Sequence, residues 1–295
     1  MPGIDRNIKL IFKISAFSVF AGRAWQHIFW DVPLRTVLWE EKWMKPIVEG
    51  WFGMPWGDYV SSPVVDANIQ HTIQGMGVFY ALLAIAVLFY KGQSRIHEIL
   101  FYIGSGLLFL LGICYLKVAF FSLGQLLEYT LQFTAPIFLI WSFKSTFNSN
   151  YFLNAVKVAI ALTFTCHGLY AIGYYPVPGK FVQMVISILG VSDSTAFTFL
   201  KTAAILDLIV AVGIFIPGKA QIYPLMYAVF WGFATSIARV WANFYPEMWM
   251  ESISHWLPET VFRFPHFLGP LAIVAWHYIQ HPDWFFKRKG SIAMV

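Results

Sequence analysis

Ionisable side chains interrupt several of the long apolar segments of this sequence. The main candidates for a site are Arg23, His27, His167, Lys201, Asp207 and Arg239, and the weaker candidates are Lys117, Glu128 and His266. Charged groups inside a bilayer are costly, and they usually mark a ligand site, a proton-transfer site or an ion pair between helices. The inner half of the apolar segments, on the side of the N-terminus, is nearly free of such groups. This asymmetry predicts a polar pocket that opens towards the outer face.

Helical spacing predicts how these side chains face one another. Arg23 and His27 are four residues apart and project from one face of a helix. Lys201 and Asp207 are six residues apart, which separates them by about 120° around a helix axis, so they are poor partners. Asp207 is the deepest charge. It must be protonated or paired elsewhere, and Arg23 and Arg239 are its expected partners.

A structural role competes with a ligand or proton site for all of these residues. Lys117, Glu128 and Arg239 lie close enough to a membrane surface for their charged heads to reach water. His266 follows Pro265 and is expected to make a contact at the start of a helix. For the deeper residues, a network that joins helices is as well supported as a functional site.

Membrane-spanning helices must position these residues. Of the 295 residues, 58% are hydrophobic and 12% are charged, with a mean hydropathy of +0.63, whereas a soluble domain carries roughly a quarter charged residues. About 20 apolar residues are needed to cross a bilayer as a helix. The shorter apolar stretch 181–191 predicts an interfacial helix instead. The eight predicted spans are 10–30, 72–90, 99–119, 124–143, 153–172, 197–216, 221–241 and 262–280.

The charges outside the predicted spans sort by side. The basic excess on the side of the N-terminus marks the cytoplasmic face, which predicts that both termini are cytoplasmic and that the number of spans is even. The long outer loops 31–71 and 242–261 are rich in Trp and are predicted to lie along the membrane surface. The inner basic residues are Arg6, Lys9, Lys13, Lys91, Arg95, Lys144, Lys157, Lys219, Lys287, Arg288 and Lys289.

The two halves of the chain share short motifs in the same order. The matching pairs are 13–20 (KISAFSVF) with 157–164 (KVAIALTF), Arg23 with His167, Lys117 with Arg239, and 132–136 (QFTAP) with 266–270 (HFLGP). We therefore predict an all-α polytopic membrane helix bundle of two tandem four-helix repeats, 1–147 and 148–295, in the same orientation. The alternative is chance similarity between apolar helices.

The sequence contains no recognisable motif for metal or phosphate chemistry. Cys114 and Cys166 lie in apolar segments and are expected to be small core residues. No spacing of His, Cys or Glu matches a metal, haem or phosphate site. We therefore predict no metal site and no nucleic-acid partner, and the sequence identifies no catalytic set.

Motifs in the second half resemble those of the DoxX-like group of small four-helix membrane proteins. The segment 163–168 (TFTCHG) is followed by the turn 175–179 (YPVPG) and by the apolar stretch Phe181–Gly190. Lys201 and Asp207 fall in the next predicted span. The resemblance implies a compact four-helix unit with its polar residues near the outer face.

The first half is a looser match to the same group. Its Gly22 and Arg23, followed by the Trp-rich outer loop, also resemble the multi-span part of vitamin-K-dependent carboxylase-like proteins. The DoxX-like group includes a subunit of a thiosulfate:quinone oxidoreductase. The resemblance therefore implies a quinone as a candidate cofactor and a bacterial inner membrane as the location.

Two functions remain open from the sequence. The first is an accessory or ligand-binding protein, which holds a hydrophobic small molecule or contacts a membrane-protein partner at an outward-facing polar pocket. The second is a membrane-embedded oxidoreductase that acts on a quinone or another lipid-soluble substrate. A transporter is less well supported, because the inner half offers few polar residues to line a path.

Overall fold

A computed structural model describes residues 4–144 and 149–285, and within these ranges every regular element is a helix. The predicted repeat boundary at 147 and 148 and the basic group Lys287, Arg288 and Lys289 lie outside the described residues. The α-helices are α1 (Arg6–Phe29), α2 (Arg35–Leu38), α3 (Glu41–Trp51), α4 (Trp56–Ser61), α5 (Pro63–Phe89), α6 (Arg95–Val118), α7 (Leu123–Leu127), α8 (Thr130–Phe143), α9 (Ser149–Ile172), α10 (Gly179–Leu189), α11 (Asp193–Gly213), α12 (Ile222–Ala242), α13 (Trp249–Val261) and α14 (Pro265–Gln280).

Five helical segments in the described ranges are long and apolar enough to cross a membrane. They are α5, α6, α9, α11, and α12 together with the short turn that precedes it, Gly218–Ala242. Each coincides with one of the predicted spans, although α5 begins at Pro63 rather than at residue 72. The chain is therefore an all-α, multi-pass integral membrane protein.

The other three predicted spans fall on helices that are shorter or less apolar. α1 has 24 residues but carries Lys13, Arg23 and His27. α8 has 14 residues and α14 has 16. Most of the α8 residues are buried against other helices. Length and composition therefore do not by themselves identify these three helices as membrane spans.

The predicted span 124–143 is not one continuous helix. It is divided into α7 and α8 around Glu128 and Tyr129, so Glu128 ends α7 rather than lying in the first turns of a span. The N–H of Leu131 in the first turn of α8 donates to the hydroxyl of Thr163 on α9, at 3.4 Å. This partner outside the helix supports a separate helix start, because the first amides of a helix have no partner within it.

Both long loops that were predicted to be outer contain short helices. The loop predicted at 31–71 contains α2, α3 and α4, and the loop predicted at 242–261 contains α13. α10 covers most of the predicted interfacial stretch 181–191 and is too short to span. α14 begins at Pro265 rather than at residue 262, since Pro265 occupies the first turn of the helix.

The helix contacts follow the same pattern in the two halves of the chain. α1 packs against α5, α8, α13 and α14, and α9 packs against α11, α14, α7 and α8. In addition, α6 packs against α8, and α12 packs against α14. Thus α8, the last helix of the first half, contacts α9, the first helix of the second half. In the same way, α14, the last helix of the second half, contacts α1.

Two glycines allow very close helix contacts. A Cβ added to Gly22 of α1 would lie 2.8 Å from the backbone nitrogen of Phe262, at the end of α13. A Cβ added to Gly232 of α12 would lie 2.7 Å from the carbonyl oxygen of His266 on α14. Small residues of this kind let backbones approach in membrane bundles. These contacts hold the segment around residues 258–266 between α1 and α12.

Candidate ligand-binding site

A cavity of about 290 Å³ lies between α9, α10, α11, α12 and α14. We call it the α10 cavity, because α10 forms one of its walls through Phe181, Val185 and Ile188. Four of the residues predicted from the sequence line it, and so does Arg263. These four are His167, Asp207, Arg239 and His266. The structure thus brings together residues from four different helices of the second half.

Two arginines at one end of the α10 cavity, Arg239 buried and Arg263 largely buried, share a carboxylate. Nη1 of Arg239 lies 3.4 Å and Nη1 of Arg263 lies 3.3 Å from Oε2 of Glu259. Nη1 of Arg263 also donates to the backbone carbonyl of Glu259, at 2.8 Å. The Nε of Arg239 is buried and has no hydrogen-bond partner among the described residues. The arginine end of the cavity therefore carries an unused donor.

Two histidines stack beside the arginine pair. The rings of His167 and His266 are 5.3 Å apart and nearly parallel, with an interplanar angle of 15°. Nε2 of His167 lies 3.6 Å from Oε2 of Glu128, whose other oxygen accepts a hydrogen bond of 2.6 Å from Gln125. His266 contacts the carbonyl of Arg263 through Nδ1, at 2.8 Å, which agrees with its predicted place at a helix start.

Asp207 lies in the middle of α11 and lines the other end of the α10 cavity. Its side chain is buried, with a residue exposure of 3%. The indole of Trp231 on α12 lies beside the carboxyl group, and Oδ1 has no hydrogen-bond partner in the described part of the chain. Neither Arg23 nor Arg239 is within ion-pair distance of Asp207, so the partners expected from the sequence were wrong. Arg239 is instead held by Glu259.

Arg23 is buried in the first half of the chain and does not line the α10 cavity. Its guanidinium donates to Gln26 and to Gln132, both at 2.7 Å, and its Cζ lies 3.7 Å from the ring centroid of Phe262. Nδ1 of the His27 ring lies 2.7 Å from the backbone carbonyl oxygen of Arg23, which accepts a hydrogen bond from it. Arg23 and His27 are thus close together, as their spacing predicted, but apart from the other candidates.

Two predicted residues lie away from these clusters. Lys201 is on the exposed face of α11. Lys117 is at the end of α6, where its ammonium forms an ion pair with Glu40 and donates to the carbonyl of Thr36. Lys117 therefore anchors the first outer loop to the bundle. The hydrogen bond and charge of Lys117 lower the pKa of the Glu40 carboxyl below its ordinary value.

Sequence reasoning missed Glu259 and Arg263 as site residues and counted both among the charges of the side predicted to be outer. Their four-residue spacing, which favours contact on a helix, was the available signal. Glu259 also lines a second cavity of about 590 Å³, together with Trp30, Asp31 and Arg35.

The described residues contain no group of three or more His, Cys, Asp or Glu side chains that could hold a metal ion. Cys114 and Cys166 are free and buried.

Comparisons with known proteins give no family for this chain. No family model, no curated protein and no solved structure matches it.

Proposed function

We propose that this membrane protein binds a lipid-soluble small molecule in the α10 cavity. The observation that carries the proposal is an apolar cavity with unpaired buried polar atoms, Arg239 Nε and Asp207 Oδ1, in its lining residues. Unpaired buried polar groups cost folding free energy, and a ligand that pairs with them recovers that cost. Binding sites of this kind are largely apolar, with a few placed polar groups.

The first test is mass spectrometry of small molecules that copurify with the protein in mild detergent. We expect the wild-type protein to retain a ligand, and we expect Asp207→Leu and Arg239→Met to reduce its occupancy at least about tenfold, because each removes a hydrogen-bonding group that we propose contacts the ligand. Lys201→Gln, on the exposed face of α11, is the matched control and should retain the ligand.

The thermal unfolding of each variant shows whether a loss of ligand reflects a loss of fold. A wild-type protein that carries no small molecule, or folded Asp207→Leu and Arg239→Met variants that retain it fully, would rule out the proposed binding function.

We further propose that the chain crosses the membrane eight times as two tandem four-helix repeats. The contacts of motif-matched residues support this. Arg23 contacts Gln132 and Phe262, and His167 contacts His266 and Glu128. In the motif alignment Gln132 matches His266, and the residues four positions before them are Glu128 and Phe262. Matched positions thus make matched contacts, one within a half and one across to the other half.

Labelling of single cysteines distinguishes eight spans from five. With eight spans, the loops at Lys91 and Lys219 are on one face, which we propose is cytoplasmic. If only the five long apolar segments crossed, these two loops would be on opposite faces. In a background without native cysteines, we expect Lys91→Cys and Lys219→Cys to react with an impermeant maleimide only after permeabilisation, and Trp51→Cys to react in intact cells. Labelling of only one of the two lysine positions from outside would contradict eight spans.

The second half is also proposed to be DoxX-like. Support comes from the order of its elements, since the turn 175–179 leads into the amphipathic α10, and α10 covers a cavity lined by a polar residue of the next helix. A second candidate function, oxidoreduction of a quinone-like substrate, is favoured by the stacked His167 and His266 beside the cavity, because quinone reduction takes up protons. A copurified quinone whose redox state changes with added reductant would support this activity.

A further inference from the structure

The unpaired polar atoms of the α10 cavity belong to residues at its two ends. Asp207 and Trp231 both line the cavity and lie beside each other, which places Asp207 at the level of Trp231 along α12. Arg239 is eight residues further along the same helix, which corresponds to about 12 Å at 1.5 Å per residue. Each end of the cavity is therefore lined by a residue with a buried polar atom that lacks a partner among the described residues, an acceptor in Asp207 and a donor in Arg239.

The wall between these ends is apolar. It is formed by Phe181, Val185 and Ile188 of α10 together with Leu200 and Ala203 of α11. Because these side chains offer no hydrogen bonds, the middle of a bound molecule should be hydrocarbon.

The arginine end of the cavity favours an anionic group. Arg239 and Arg263 are part of the cavity wall, whereas neither Glu259 nor Glu128 is among the described residues that form it. His167 and His266 add further nitrogen atoms at this end. A carboxylate would receive charge-assisted hydrogen bonds here, which are stronger than neutral ones. At the other end, Asp207 lines the cavity, and its buried Oδ1 has no hydrogen-bond partner among the described residues.

We propose that the ligand is an elongated aliphatic acid with a carboxylate at one end and a hydroxyl group about 12 Å away. The carboxylate contacts Arg239 and Arg263, and the hydroxyl group donates to Asp207. This inference rests on the proposed binding function, which it extends by specifying two polar ends. A chain of about ten carbons has the required length at roughly 1.25 Å per bond, and it fits the apolar middle of a concave site.

Equilibrium binding of radiolabelled 10-hydroxydecanoate to the full chain in phosphatidylcholine nanodiscs tests the inference, with empty nanodiscs subtracted. Unlabelled 10-hydroxydecanoate, decanoate and 1-decanol serve as competitors. For the wild-type protein we expect 10-hydroxydecanoate to bind at least about tenfold more tightly than decanoate, because decanoate leaves Asp207 unpaired. Decanol lacks the carboxylate and should bind more weakly than decanoate.

Variants of the protein test which residue contacts each end of the ligand. Asp207→Leu should abolish the difference between the two acids, and Arg239→Met should weaken both acids by a similar factor. Lys201→Met should bind all three probes as the wild-type protein does. The comparison of probes on the wild-type protein needs no variant, so it stands even if a variant fails to fold.

Each alternative outcome is decisive. Equal affinities for 10-hydroxydecanoate and decanoate would overturn the two-ended ligand but would leave the binding function intact. An absence of saturable acid binding would also overturn it, and the copurification experiment would then decide the binding function separately.

Discussion

Glu259→Gln should lower the free energy of unfolding by about 3–5 kcal/mol, the usual cost of removing one partner from a buried ion pair. Glu259 is the carboxylate closest to two largely buried guanidinium groups, at 3.4 Å from Arg239 and 3.3 Å from Arg263. Without its charge, both cations remain in a low-dielectric environment with only neutral acceptors. Thermal or denaturant unfolding of the purified protein in detergent measures the change.

Glu251→Gln is the matched control, because Glu251 is exposed on the same helix, α13. It should change the free energy of unfolding by no more than about 0.5 kcal/mol. If the two variants are equally stable, the arginines do not depend on Glu259 and the ion-pair network has no structural role.

The ion pairs of Glu259 with the two arginines should also make the stability of the protein fall at low pH. Burial opposes ionisation of Glu259, but the charges of Arg263 and Arg239 outweigh it and lower the carboxyl pKa from 4.5 to about 2. A lowered folded-state pKa contributes stability that is fully present above the ordinary pKa and is lost as the pH falls towards the folded-state value. The stability difference between wild type and Glu259→Gln should therefore shrink between about pH 4.5 and pH 2.

Gly22→Val should destabilise the bundle by about 1–3 kcal/mol through overpacking. A Cβ at this position would lie 2.8 Å from the backbone nitrogen of Phe262 and 2.9 Å from the carbonyl oxygen of Pro258. Backbone atoms cannot move aside as a flexible side chain can, so α13 would have to move away from α1. Because Phe262 covers the Arg23 guanidinium, this movement would also expose the guanidinium.

The control for this variant is Gly106→Val in α6, since Gly106 is exposed and a Cβ there meets nothing within 4 Å. Both variants replace a helical glycine by the same residue, and their intrinsic helix propensities therefore cancel. A Gly22→Val protein as stable as Gly106→Val would show that the contact between α1 and α13 can relax.

Apolar runs were enough to locate the long helices. α9, α11 and α12 lie within a few residues of the predicted spans 153–172, 197–216 and 221–241. The early start of α5 also had a readable signal, because Ser62 accepts from the Val65 N–H and Pro63 occupies the first helical position. Hydropathy had placed the start later, where the apolar run begins.

The break between α7 and α8 could not be read in the same way. It depends on Thr163, which is far away in sequence and accepts from the Leu131 N–H. The partner of Asp207 could not be predicted from the sequence either, because opposite charges at membrane depth can pair only if helix rotation brings them together. In this fold Arg239 turns towards Glu259, and Asp207 is left with Trp231.

The shortness of α8 and α14 has a consequence for the fit between the protein and its bilayer. At 1.5 Å per residue they are about 21 and 24 Å long, less than the roughly 30 Å of hydrocarbon in a typical membrane. In contact with lipid, such helices would thin the bilayer through hydrophobic mismatch. Both instead lie among other helices, with much of their surface buried. Longer helices such as α5 and α6 can match the lipid thickness, while the interior keeps room for charged groups at a depth where lipid would exclude them.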